Sequence, residues 1–99
     1  MRTLMRVTFP VEASNAAVKD GTLQNTLETL LEKLKPEAAY FYAHEGKRSA
    51  LMVFDLKDSS DIPVIAEPLF MRMHASVELF PVMNGDDLRA GLEKAAKNR

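Results

Sequence analysis

The chain has 99 residues, 46% of them hydrophobic and 27% charged, which suits one folded domain spanning residues 1–99 and excludes a disordered one. Thirteen basic residues against fourteen acidic ones, with no block of like charge, argue against nucleic acid or an anionic membrane as partner. There is no cysteine, which excludes disulfides, thiolate metal sites and thiol catalysis; no apolar run is long enough for a leader or a membrane span, so the cytoplasm is the expected location.

From Thr3 to Phe9, residues alternate in character with a period of two, which predicts a strand ended by Pro10. An irregular lead-in follows, with Ser14 or Asn15 as a helix cap. The regular helix is expected over Thr22–Lys35, where Leu23, Leu27, Leu30, Leu31 and Leu34 form a stripe on a 3.6-residue period. Gly21 marks a break before it, and Pro36 ends it by pushing Lys35 out of the helical region. Ala39–Glu45 and Ser49–Leu56 read as two strands joined by a loop, Glu45 to Arg48, in which Gly46 can take a positive φ.

Asp58 to Asp61 supply cap residues for a second helix whose buried stripe is Ile62, Ile65, Leu69 and Met73. Pro68 lies inside that stripe, so a kink or two short helical pieces are expected. Val77–Met83 reads as a fourth strand, with Pro81 arguing for a sheet edge. Asn84-Gly85 turns the chain into a short C-terminal helix, opened by Asp86 or Asp87, with Leu88, Leu92 and Ala95 inward. The order β-α-β-β-α-β predicts an α+β, ferredoxin-like domain: a four-stranded antiparallel sheet in the order 4-1-3-2, plus that last helix.

Sorting the strand residues by face predicts an assembly. Met5, Val7, Phe9, Phe41, Ala43, Ala50, Met52, Phe54, Leu56, Val77 and Leu79 fall on one almost wholly apolar side, which should carry the helices. The other side collects Leu4, Arg6, Thr8, Tyr40, Tyr42, His44, Leu51, Val53, Asp55, Glu78, Phe80 and Val82. A face left to water should be largely charged, and this one is not. Burying several hundred Å² of it at about 25 cal/mol per Å² is worth on the order of 10 kcal/mol gross. Association entropy takes back part of that. The expectation is a homodimer through this face; the alternative is that the C-terminal helix folds back over it.

Polar groups are mixed into the same face. Arg6, Tyr40, Asp55, Glu78 and Phe80 are candidate ligand-binding residues, and His44 and Tyr42 are candidate catalytic ones, His44 as a base near neutral pH. A structural reading competes: Arg6 pairs with Glu78 or Asp55 and sets dimer register. His44, His74 and Glu78 lack helical metal-ligand spacing, so no metal site is expected. The glycines are scattered and form no phosphate loop, and the serines lie in no nucleophile elbow.

The runs Val53-Phe54-Asp55-Leu56, Glu67-Pro68-Leu69-Phe70 and Val77-Glu78-Leu79-Phe80-Pro81-Val82-Met83 resemble small bacterial proteins of the dimeric α+β barrel superfamily. Among well-known families the pattern resembles that of the muconolactone isomerases. The resemblance implies a face-to-face dimer with a pocket lined by sheet and helix residues. It also implies chemistry without a cofactor, of the isomerase or monooxygenase kind, on a small aromatic or anionic metabolite. The competing function is a non-catalytic ligand-sensing or dimerisation module.

Overall fold

The computed structural model describes residues 1–98. Its elements are β1 (Arg2–Thr8), α1 (Val11–Asp20), α2 (Thr22–Leu34), β2 (Ala38–His44), β3 (Lys47–Asp55), α3 (Asp61–Met73), β4 (Ser76–Pro81) and α4 (Gly85–Lys97). The class is α+β, with an open four-stranded antiparallel sheet in the order β2-β3-β1-β4. Counted from the β4 edge, that order reads 4-1-3-2. Pro81 therefore lies on an edge strand, where its missing N–H leaves no inner ladder bond unmade.

The lead-in expected to be irregular is a ten-residue helix, α1, which starts directly after Pro10. Ala13, Ala16 and Ala17 favour the helix without writing a large apolar stripe. Ser14 is consequently not a cap: it is fully buried inside α1, and its hydroxyl donates to the Val11 carbonyl (3.2 Å). Gly21 (φ +81) ends α1 and opens α2, and Lys35 leaves the right-handed region just before Pro36. The β2–β3 connection is tighter than the expected four-residue loop. Glu45 (φ +52) and Gly46 (φ +77) form a two-residue turn, and Lys47 and Arg48 already pair with His44 and Ala43.

Pro68 does not split α3, which runs as one helix of 13 residues. The proline removes a single N–H partner, that of the Val64 carbonyl, and Val64 lies on the exposed side of the helix where water can replace it. The helix closes at His74 (φ +53), where the amides of His74 and Ala75 cap the carbonyls of Phe70 and Leu69.

The strand register confirms the division into faces. Met5 lies opposite Met52 and Leu79, and Val7 opposite Ala50 and Val77. With Phe9 and Phe54 these side chains form the core, closed over by Ala17, Leu23, Leu30, Ile65, Leu69 and Met73 from α1, α2 and α3. Coverage is incomplete at the β2 edge. Phe41 points to the helix side yet stays 53% exposed, because α2 does not reach fully across it.

The C-terminal helix departs furthest from expectation. It is not short: α4 has 13 residues, as many as α2 or α3. Its start is well made, for the Asn84 side chain accepts from the Asp87 amide while Asp87 accepts from the Asn84 amide. Yet Leu88, Leu92 and Ala95 do not turn inward, and no residue of α4 is buried. The helix projects from the body, which gives a radius of gyration of 16.0 Å where a compact chain of this length has about 13 Å.

Candidate functional site

The residues singled out as candidates lie on the uncovered face of the sheet, in rows that cross it. One row runs Tyr40, Leu51, Arg6, Glu78. The next, toward the hairpin, runs Tyr42, Ser49, Thr8, Ser76. On the other side come Ala38, Val53, Leu4 and Phe80. Alternation along each strand puts these side chains on one surface, and antiparallel pairing sets them side by side.

Arg6 is the centre of the arrangement. Its side chain reaches across β3 and its Nε donates to the Tyr42 hydroxyl at 2.9 Å. The carboxylate of Glu78, directly opposite on β4, lies 3.6 Å from a terminal guanidinium nitrogen, close enough to attract and too far for a good hydrogen bond. The bond to Tyr42, with the Glu78 charge behind it, holds the Arg6 guanidinium above its ordinary pKa. Arginine carries five N–H donors, and among the described residues one of them is in a hydrogen bond. Tyr42 accepts from Arg6 and keeps its own proton to donate. Leu4, Leu51 and Val53 form a half-buried apolar floor around this pair, with Phe80 and Tyr40 (65% exposed) beside it.

Not every candidate joins the centre. His44 sits one alternation beyond Tyr42, in a row with Lys47 at the hairpin end. Its ring meets Tyr42 edge-on with centroids 6.1 Å apart, and its Nε2 is 4.0 Å from the Glu45 carboxylate. Asp55 is at the opposite end of the face and lies across from Arg2, so it cannot serve as the Arg6 partner. It binds the Met1 amino group (2.7 Å) and Lys57 (2.9 Å), and these bonds hold its carboxyl down to about 2. His74 caps α3 on the far side of the sheet from His44. Among the described residues no three His, Asp or Glu side chains come together as metal ligands would.

Two polar clusters escaped the sequence reading. Arg2 donates to Glu37 (2.6 Å) and to Asp87 (2.9 Å), tying β1 to the start of β2 and to the first turn of α4. The Glu37 bond, supported by Asp87, raises the Arg2 guanidinium above its ordinary pKa. Arg48 donates to Ser14 Oγ (2.8 Å) and Asn15 Oδ1 (2.9 Å), which pins α1 to the hairpin. Arg2 continues the alternation of Leu4 and Arg6, a signal that was available. The Arg48 contact depends on a helix that the pattern did not announce.

The chain matches no protein-family model and no curated protein. The open face is therefore read from its own geometry.

Proposed function

We propose that this chain is a ferredoxin-like subunit of a homodimer, whose facing sheets enclose a site for a small anionic or phenolic molecule. The observation that carries the reading is Arg6: a cation with unspent donors, ringed by Leu4, Leu51, Val53 and Phe80 on a face that the chain's own body leaves open. Apolar walls with a few convergent polar groups are the usual make-up of a small-molecule site. Arg6 would anchor the anion, Tyr42 would orient it, and Tyr40 and Phe80 would line the walls. His44, one alternation beyond Tyr42 at the hairpin end, would act as the base in a catalytic site. That chemistry would be of the cofactor-free isomerase or monooxygenase kind suggested by the resemblance to dimeric α+β barrels.

A second reading has its own support. The contacts of Arg6 with Tyr42 and Glu78 are made within one chain, as they would be if their task were to fix dimer register in a sensing or dimerisation module. Native mass spectrometry of protein purified without added ligand separates the two. A dimer carrying a small organic mass, lost in Arg6→Ala, supports the site. A bare dimer that Arg6→Ala weakens supports the register role, and a monomer ends both.

A further inference from the structure

We infer that α4 is an arm exchanged between two copies, its Leu88 and Leu92 stripe seated in the apolar groove beside β2 of the other copy. The inference rests on the dimer proposed above and adds a second interface to it.

Alone, α4 should not persist. Isolated helices shorter than ~12–15 residues are marginal in water, and most helix stability comes from packing an apolar face. This one has 13 residues with Gly91 in its interior, and the body of its own chain buries none of them. Leu88 (47% exposed), Leu92 (62%) and Ala95 recur at spacings of four and three, so they form one stripe without a neighbour.

The body of the chain offers a matching vacancy. Between α2 and β2 runs a groove lined by Val18, Leu23, Leu27, Leu31 and Phe41, with Gln24 and Glu28 at its rim. Val18 and Phe41 are half exposed there, on the helix side of a sheet whose central inner positions, from Met5 and Val7 to Ala50 and Met52, are covered. On the helical wheel Arg89, paired with Asp86, borders the α4 stripe on one side, so the arm brings a cation toward a groove rimmed by Glu28.

Symmetry brings the two together. The Arg2–Asp87 ion pair roots α4 on a side chain of the open face, next to edge strand β4. When two such faces meet about a two-fold axis running along the strands, β4 of one copy lies over β2 of the other. The root of each arm then stands at the partner's β2 edge. Area supports the exchange as well. Four strands ~4.8 Å apart and some six residues long give a footprint of about 400 Å². Stable interfaces bury ~800 Å² per partner, so the sheets alone fall short and two arms make up part of the difference.

The absence of native cysteine allows a clean test. Phe41→Cys and Leu92→Cys in one chain should oxidise to a covalent dimer on non-reducing electrophoresis. A disulfide within a single chain would show the arm folded on its own body and overturn the inference, as would two thiols left free. In the full chain, Leu88→Ser with Leu92→Ser should raise the dimer Kd roughly 100-fold or more by sedimentation. Leu51→Asp is the control for the facing sheets. A dimer lost with Leu51→Asp alone overturns the arm and leaves the sheet interface standing. Loss with the α4 variant alone supports the arm and removes the sheet interface, and a dimer that survives both changes overturns the arm.

Discussion

The two faces of the central strands are built from similar material and meet different fates. On β1 and β3 the inner face presents Met5, Val7, Met52 and Phe54, and the outer face presents Leu4, Leu51 and Val53. Helices of the same chain bury the first set almost completely, while no described helix lies over the second, which stays half-buried. An ordinary two-layer domain needs one apolar face per sheet, so the second is surplus to folding and calls for another use. The edge strands modify that surface with Tyr40, Tyr42 and Glu78, which is where Arg6 finds its partners.

Substitution on each face separates folding from association. Phe54→Ala should cost about 3–5 kcal/mol in urea unfolding, because it opens a cavity beneath α3 in a packed core. Leu51→Ala, at an outer position of the same strand, should leave dilute protein nearly as stable. Its penalty, about 1–2 kcal/mol per copy, should emerge only at concentrations where copies pair. If Leu51→Ala cost the same at every concentration, the outer face would be buried within one chain and the contrast would vanish.

Smaller changes sharpen the comparison at its margins. Gly46→Ala forces an L side chain into a left-handed turn position and should cost about 1–2 kcal/mol by thermal or urea unfolding. That turn sets the β2–β3 register, and a one-residue slip would move Tyr40 and Tyr42 from the outer face to the inner one. Removing Arg48 as Arg48→Ala should cost about 1 kcal/mol, read the same way, since it unpins α1 from the hairpin and takes one partner from the buried Ser14 hydroxyl.

The smallest effect is electrostatic and lies at the far end of the open face. Asp55 is held at about 2 when folded and returns to about 3.9 when unfolded. Its contribution is therefore complete above the unfolded value and disappears as pH falls through the folded one. Asp55→Asn should lower stability slightly at pH 5–7 and match the parent chain below about pH 2. Exposure of the carboxylate keeps that difference small, and a variant less stable by the same amount at both ends of the range would exclude the linkage.

Much of this frame was legible because period two is a strong signal. The alternation of Met5 and Val7 against Leu4 and Arg6 named the faces correctly, and Pro81 named the edge. Where residues are small, the signal fades. Ala13, Ala16 and Ala17 make α1 a good helix and a poor stripe, so it read as irregular. At Pro68 the two short helical pieces allowed for did not form, because the freed carbonyl lies on the exposed side of one continuous helix. Within the candidate site, Arg6 opposite Glu78 followed from strand order, whereas Tyr42 is a diagonal partner across β3 that no pairing rule names. The inward stripe expected of α4 was read correctly as a stripe, and what it packs against was not written in one chain.

The position of β1 at the centre of the sheet has a consequence for synthesis. Arg6 is made well before its neighbours Leu51 and Glu78. A ribosome therefore releases an apolar strand that must stay solvated, or shielded by a chaperone, until both flanking strands exist. The β2–β3 hairpin needs no such delay, since its two strands meet across two residues and can close within ~1–10 μs. Assembly should then begin at the hairpin, with β1 inserted last between two partners that are both far from it in sequence.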